Sequence, residues 1–226
     1  MEIVGRFPQA TLLVTEENVG PYRLLQAVFD HADYDAFLLQ DADDWSALDR
    51  LAILLDEAAR TGARMVGCQV ENIYQDIEPE PSVEYPRDAN AAVMAAPTVH
   101  PVLMGASLIA CDLIRELGGL ATGLRFGADT EFIRRAVFVA KIANAAERCY
   151  FRRIHPLAAT RRPDTGYRSA LRADIRRRLH ARACDNVARH LRGEAPNLER
   201  IVVAPPVTLT RVLGPELRWS GPGPTS

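Results

Sequence analysis

The chain has 226 residues, 48% of them hydrophobic and 25% charged, with a formal net charge of −2. That balance fits one large soluble globular domain, or one and a half, and removes any global electrostatic case for a nucleic-acid or membrane-surface protein. Four widely separated cysteines, Cys68, Cys111, Cys149 and Cys184, form neither a CxxC pair nor a dense disulfide framework, so reduced thiols in a cytoplasmic protein are expected. No basic segment followed by an apolar run precedes the first strand, and no apolar stretch is long enough to span a bilayer.

In chain order, Ala10 to Val14 reads as a buried strand, followed by a turn and a helix from about Tyr22 to His31. Ala36 to Gln40 is the next strand, and it runs straight into three carboxylates, Asp41, Asp43 and Asp44. From Ser46 to Thr61 the residues Leu48, Leu51, Ala52, Leu54, Leu55 and Ala58 fall at helical spacing, and Gly62 ends the run. Arg64 to Val70 returns as a strand, and the alternation predicts an α/β fold with a largely parallel sheet. Glu71 to Pro97, rich in Pro, Glu and Asp, reads as a long excursion with little regular structure, either a lid or a floppy insertion. Met104 to Ala110 resumes strand character, Cys111 to Leu117 is a short helix stopped by Gly118-Gly119, and a helix follows from about Ala128 to Ala140. A short strand lies around Cys149 to Arg153, and after Thr165-Gly166 comes a long Arg-rich helix to about Leu191. The last seven residues, 220–226, read as a disordered tail.

Carboxylates as close as Asp41, Asp43 and Asp44 repel one another unless something positive sits among them, and hard divalent ions take oxygen ligands together with substrate phosphates. A metal and a diphosphate are therefore the first suspects, the more so because open α/β sheets bind ligands at the C-terminal ends of their strands. A solvated acidic turn capping the following helix is the alternative. A calcium loop is excluded, because Trp45 and Ser46 stand where it needs an oxygen ligand and a turn glycine.

Gly127-Ala-Asp-Thr-Glu-Phe132 opens a helix with Asp129 and Glu131 near its first turn. The helix macrodipole favours acids there in any case. A carboxylate within reach of a hydroxyl can also take its proton, which makes Asp129 a candidate general base and Glu131 a group that could orient an acceptor. Tyr150-Phe-Arg-Arg-Ile-His155 supplies a histidine that can ligate a metal, donate to a phosphate or pack. Arg152, Arg153, Arg161 and Arg162 suit diphosphate recognition or stand solvated.

Taken in order, Asn18-Val-Gly-Pro-Tyr22, Gln40-Asp-Ala-Asp-Asp-Trp45, Ser46-Ala-Leu-Asp-Arg50, Gly127-Ala-Asp-Thr-Glu-Phe132 and Tyr150-Phe-Arg-Arg-Ile-His155 resemble the GT-A nucleotide-sugar glycosyltransferases, specifically the large inverting family two. The resemblance spans roughly residues 10 to 172. It implies a GT-A-like, mostly parallel sheet flanked by helices over residues 1–160, with an Arg-rich helical extension over 161–219. It implies metal-dependent transfer of a sugar from a nucleotide-sugar donor to an acceptor hydroxyl with inversion, the acceptor being a glycan, a lipid-linked sugar or a small molecule.

On this resemblance Asp41-Ala42-Asp43 is the Asp-x-Asp motif, with Asp43 the ligand of Mg²⁺ or Mn²⁺ and Asp41 facing the ribose or the metal. Asp44 would line the sugar pocket, Asp129 is the catalytic base, and His155 is a further metal or diphosphate contact. Asn18, Gly20 and Arg153 complete the expected donor-binding set. The family opens with a strand, a helix and a second strand ending in paired aspartates that hold the nucleobase. Ala10 to Val14 matches the strand after these, so an N-terminally truncated donor site is expected, with a catalytically inactive binding module as the alternative. The helix carrying Arg172, Arg176, Arg177, Arg178, Arg182, Arg189 and Arg192 is expected to present a solvated face, or else to touch an anionic membrane or lipid-linked acceptor.

Overall fold

Two long strands organise the molecule, β4 (Met65–Tyr74) and β6 (Ile142–Ile154), which run in parallel from Met65↔Ile142 to Tyr74↔Ile154. The structure, a computed structural model, describes residues 3–158, 160, 161, 166 and 169–219. Arg162 and the tail 220–226 lie outside the described residues. With β5 (Leu108–Ala110), β2 (Ala36–Leu38) and β3 (Trp45–Ser46), the long strands make a five-stranded sheet in the order β2-β5-β4-β6-β3.

The α/β class is as expected, but the sheet is mixed rather than mostly parallel. The β4–β6 ladder is parallel, whereas β2–β5, β4–β5 and β3–β6 are antiparallel. The connections explain the difference. Between β4 and β6 the chain passes through helices, as a parallel crossover requires. Between β4 and β5 the excursion returns on the side it left, so β5 runs back along β4.

Strand alternation divides the core into two layers. On one face Met65, Ile109 and Ile142 pack with Phe29 of α1 (Pro21–His31), Leu113 of α4 (Cys111–Glu116) and Phe132 and Ile133 of α5 (Ala128–Ala136). On the other, Val66, Cys68, Leu108 and Ala143 pack with Leu54 of α2 (Arg50–Thr61). Each such side chain, fully withdrawn from water, contributes about 1.5–3 kcal/mol relative to exposure. The Arg-rich helix α6 (Ala170–Leu191) joins the first layer through Ile175, Leu179 and Val187. The extension therefore shares the core of the rest of the chain.

Several expectations are corrected. The strand expected at Ala10 to Val14 is β1 (Leu12–Val14), only partly buried and outside the main sheet, where it pairs antiparallel with β7 (Thr210–Leu213). Helix α2 starts at Arg50 because Trp45-Ser46 is used as an edge strand, and Leu48 is fully exposed.

The excursion is tied down in its second half. The Gln69 side chain brackets Tyr85, its amide donating to the Tyr85 carbonyl and its oxygen accepting from the Tyr85 N–H, both at 2.9 Å. The Asn144 amide donates to the Pro86 and Pro101 carbonyls at 2.7 and 2.8 Å, and Asp88 caps α3 (Ala89–Ala95). Cys68, Cys111 and Cys149 are buried thiols and Cys184 is exposed. Among the described residues no helix is long and apolar enough to cross a membrane.

Candidate active site

Because β2 and β3 occupy opposite edges of the sheet, the residues between them must cross it, and that crossing carries Asp41, Asp43 and Asp44. Its geometry is held by two side chains from below. Arg50, 2% exposed, donates through Nη1 to Gln40 Oε1 at 2.9 Å and Ser46 Oγ at 2.8 Å, and through Nη2 to the Leu39 carbonyl at 2.7 Å. Its guanidinium also stacks over the Tyr150 ring at 4.7 Å. The Tyr150 hydroxyl accepts from the Asp41 N–H at 3.1 Å and donates to Asp44 Oδ2 at 2.8 Å. Burial, with Asp44 and Asp41 alongside, pushes that phenol far above its ordinary value, so it stays a donor.

Each acid of the turn has a different environment. Asp44 is clamped, with Oδ1 accepting from the Arg153 N–H at 2.9 Å and Oδ2 from Tyr150. The carboxylate expected to line a sugar pocket is thus oriented onto β6 and anchors the turn. Asp43 Oδ2 stands 3.4 Å from His155 Nε2, the residue that follows β6. Desolvation in the cleft, then the charges of Asp44, Asp43 and Asp129, push the Asp41 carboxyl above its ordinary value. The exposed outer face of Asp41 lets solvent screen part of that push. Gly105 lies directly behind it, since a Cβ there would meet Asp41 Oδ2 at 2.8 Å.

Asp129 sits in the first turn of α5, entered through Gly127 at φ +78°, where a side chain would be strained and would also press on Leu179. The Tyr22 hydroxyl accepts from the Gly127 N–H at 3.2 Å and donates to Asp129 Oδ1 at 3.1 Å, which fixes the carboxylate. Burial and the neighbouring Asp129 charge push the Tyr22 phenol far up, so it too remains protonated. Asp129 opens onto a cavity of about 380 Å³ whose wall includes Tyr22, Tyr85, His100, Arg134 and Arg152. Arg152 lines the same cavity, and the N–H of the next residue, Arg153, holds Asp44, which puts the cavity next to the acidic turn.

Three expected site residues are elsewhere. Glu131 is 2% exposed and ion-paired with Arg135 at 2.8 Å, and it also accepts from the Ile201 N–H. Arg135 in turn donates to the Leu117 and Gly119 carbonyls, so the pair locks α5 to its surroundings, and no acceptor meets it. Asn18 Oδ1 accepts from the Gly20 N–H at 3.2 Å, making a local turn at the entrance to α1. Both residues line a second cleft, of about 420 Å³, with Arg23 and Arg125.

On β6, Arg153 contributes its backbone N–H, while its side chain is exposed. Arg152, one residue earlier and on the other face, is the arginine that lines the Asp129 cavity. Strand parity carried that signal, since Arg152 shares a face with the buried Tyr150. Arg161 is engaged with Glu80 at 2.7 Å. Along α6 and at its C-cap, Arg177 pairs with Asp174, Arg192 with Glu194, and Arg182 and Arg189 donate to the carbonyls of Asn197, Glu199 and Ala195. Much of the basic helix is therefore committed within the chain.

Among the described residues no group of three or more His, Cys, Asp or Glu side chains converges as a closed metal cage. Asp43 and His155 do face each other, and a divalent ion that takes its remaining ligands from phosphate oxygens and water needs only one or two protein groups. That donor set fits Mn²⁺ or Mg²⁺ held jointly with a diphosphate.

The model of the family described as Glycosyl transferase family 2 matches residues 2–118 of the 226. No curated protein matches the chain. Solved structures of S. aureus TarS are similar. The crystal structure of TarS 1-349 in complex with UDP is 13% identical with a TM-score of 0.49, covering 78% of this chain and 53% of that one. The complex of TarS 1-349 with UDP-GlcNAc is 12% identical with a TM-score of 0.48, covering 76% and 53%. The chain thus spans about half the length of those TarS chains, 53%. The family match takes in α1, the acidic turn with its Arg50 support, the central strand β4 and the helix α4. By that match the chain belongs to glycosyl transferase family 2.

Proposed function

We propose that this chain transfers a sugar from a nucleotide-sugar donor to an acceptor hydroxyl with inversion at the anomeric carbon. The observation that carries the reading is the juxtaposition of a fixed, cavity-facing carboxylate, Asp129, with the acidic turn at Asp41 to Asp44. Asp129 takes the proton of the acceptor hydroxyl as that oxygen attacks, an effect of about 10²–10⁴-fold for a well-placed base. The proton-holding Tyr22 phenol keeps Asp129 aimed. Asp43 and His155 would hold a divalent cation together with the donor diphosphate, and Asp41 would supply further negative charge beside it. When bound, the ion offsets the charge that develops on the leaving nucleoside diphosphate. A single displacement needs no covalent glycosyl intermediate.

The test is turnover of a panel of nucleotide sugars with Mn²⁺. Asp43→Ala is expected to abolish metal-dependent donor hydrolysis and transfer with an unchanged melting temperature. Unchanged Mn²⁺-dependent turnover in that variant would sink the metal assignment. A product with retained anomeric configuration by NMR would sink the single displacement.

A further inference from the structure

We propose that the acceptor of this transferase carries an anionic group, phosphate or carboxylate, beside the reacting hydroxyl, and that the arginines of the Asp129 cavity hold it. The inference rests on Asp129 as the base and adds the chemical class of what lies in front of it.

The cavity wall is far more positive than a neutral sugar needs. Arg134 from α5, Arg152 from β6 and Arg172 and Arg176 from α6 all line it, and among the described residues Asp129 is the one acid in its lining. Arg172 and Arg176 stand one helical turn apart and so share a face, with Arg172 also stacked over the Phe126 ring at 4.1 Å.

The decisive residue is Arg134. It is 7% exposed, its Nη2 donates to the Thr98 carbonyl at 3.0 Å, and its Nε and Nη1 are buried without a hydrogen-bond partner among the described residues. A buried guanidinium with idle donors is costly unless an anion completes it. A planar fork of N–H groups matches phosphate and carboxylate oxygens in particular. Excess positive charge is also felt by its neighbours: burial, then Arg134 and Arg176, lowers the His180 imidazole below its ordinary value. With about 380 Å³ available, the cavity accommodates a small phosphorylated or carboxylated alcohol, or one unit of a longer anionic chain.

The donor diphosphate is the competing occupant, since Arg152 also stands close enough to Asp41 to counter its negative surroundings. Calorimetry on the full chain separates the two, with glycerol 3-phosphate, glycerate and glycerol as probes. Glycerol 3-phosphate or glycerate is expected to bind at least about tenfold more tightly than glycerol. Arg134→Gln and the exposed Arg176→Gln are each expected to weaken that binding by about tenfold, the worth of one charge-assisted contact. Manganese pyrophosphate is expected to bind alongside without displacing the anion.

Failure of both anions to bind, equal binding of glycerol, or indifference to both substitutions overturns the proposal. Displacement by manganese pyrophosphate does so too, because the arginines would then serve the donor. Should Arg134→Gln fail to fold, Arg176→Gln alone decides. Asp129→Asn is expected to keep or strengthen anion binding while losing transfer. An active Asp129→Asn would defeat the base assignment and leave the anion site standing.

Discussion

The acidic turn and the cavity under α5 are neighbours with opposite electrostatic needs. In the turn, Asp41, Asp43 and Asp44 crowd together, and desolvation, then the charges of its neighbours, raises the Asp41 carboxyl. In the cavity, arginines from three elements surround Asp129, the one carboxylate among its described lining residues. Arg152 stands where the two meet. A cleft divided in this way attracts a cation on one side and an anion on the other, and the position of a carboxylate within it decides what that carboxylate does. Asp44 is bound by two donors and anchors, Asp43 faces a histidine, and Asp129 is aimed by one phenol with the cavity in front of it.

The sharpest break of this comparison comes from the two acids of one helical turn. Asp129→Asn should cost about 10²–10⁴-fold in transfer, read in single turnover, with no change in melting temperature. Glu131→Gln should do the reverse, lowering unfolding free energy by about 3–5 kcal/mol in denaturant titration, because it leaves Arg135 buried without its counter-charge. Equal stability losses in the two variants would erase the distinction drawn between them.

A smaller effect is expected on the acidic side. Tyr150→Phe removes the donor to Asp44 and the acceptor for the Asp41 N–H, which should cost about 0.5–1.5 kcal/mol per bond in stability and weaken donor binding more than the chemical step.

The smallest is a pH effect on the metal-free protein. A raised carboxyl pKa means that the folded chain holds the Asp41 proton more tightly than the unfolded one, so stability falls as pH climbs from the ordinary carboxylate value through the raised one. Asp41→Asn should flatten that part of the melting-temperature profile. Added Mn²⁺ should raise the melting temperature most above that window, where the acids are charged. An Asp41→Asn profile with the same slope as wild type through that window would contradict the crowding described for the turn, since Glu57, held below its ordinary value by Arg60 and Arg87, adds its own rise to both.

Much of the scaffold was legible from pattern. The strand at Ala36, the helices around Leu54 and Phe132 and the long Arg-rich helix follow from periodicity, and the acidic turn from its position after an apolar strand. What pattern could not show depends on partners distant in sequence. The strand at Leu12 reads as a core strand until its partner at Thr210–Leu213 draws it off the sheet. Asn18 and Gly20 look like a ligand turn, and the structure puts them in a second cleft that shares Tyr22 with the Asp129 cavity.

The difference between Asp129 and Glu131 had a local signal, since Arg135 stands four residues after Glu131 at ion-pair spacing. Arg134 had none. Its idle donors become visible only once α5, α6 and the Thr98 carbonyl are brought together.

Gly105 gives the acidic turn an unexpected genetic reach. It is remote from Asp41 in sequence and belongs to no motif, yet a single methyl there would press on the Asp41 carboxylate. In a screen for loss of transfer, Gly105→Ala should fall in the same phenotypic class as changes at Asp41. Combined with Asp41→Asn, it should add less than its separate cost, as expected of two lesions that damage one contact.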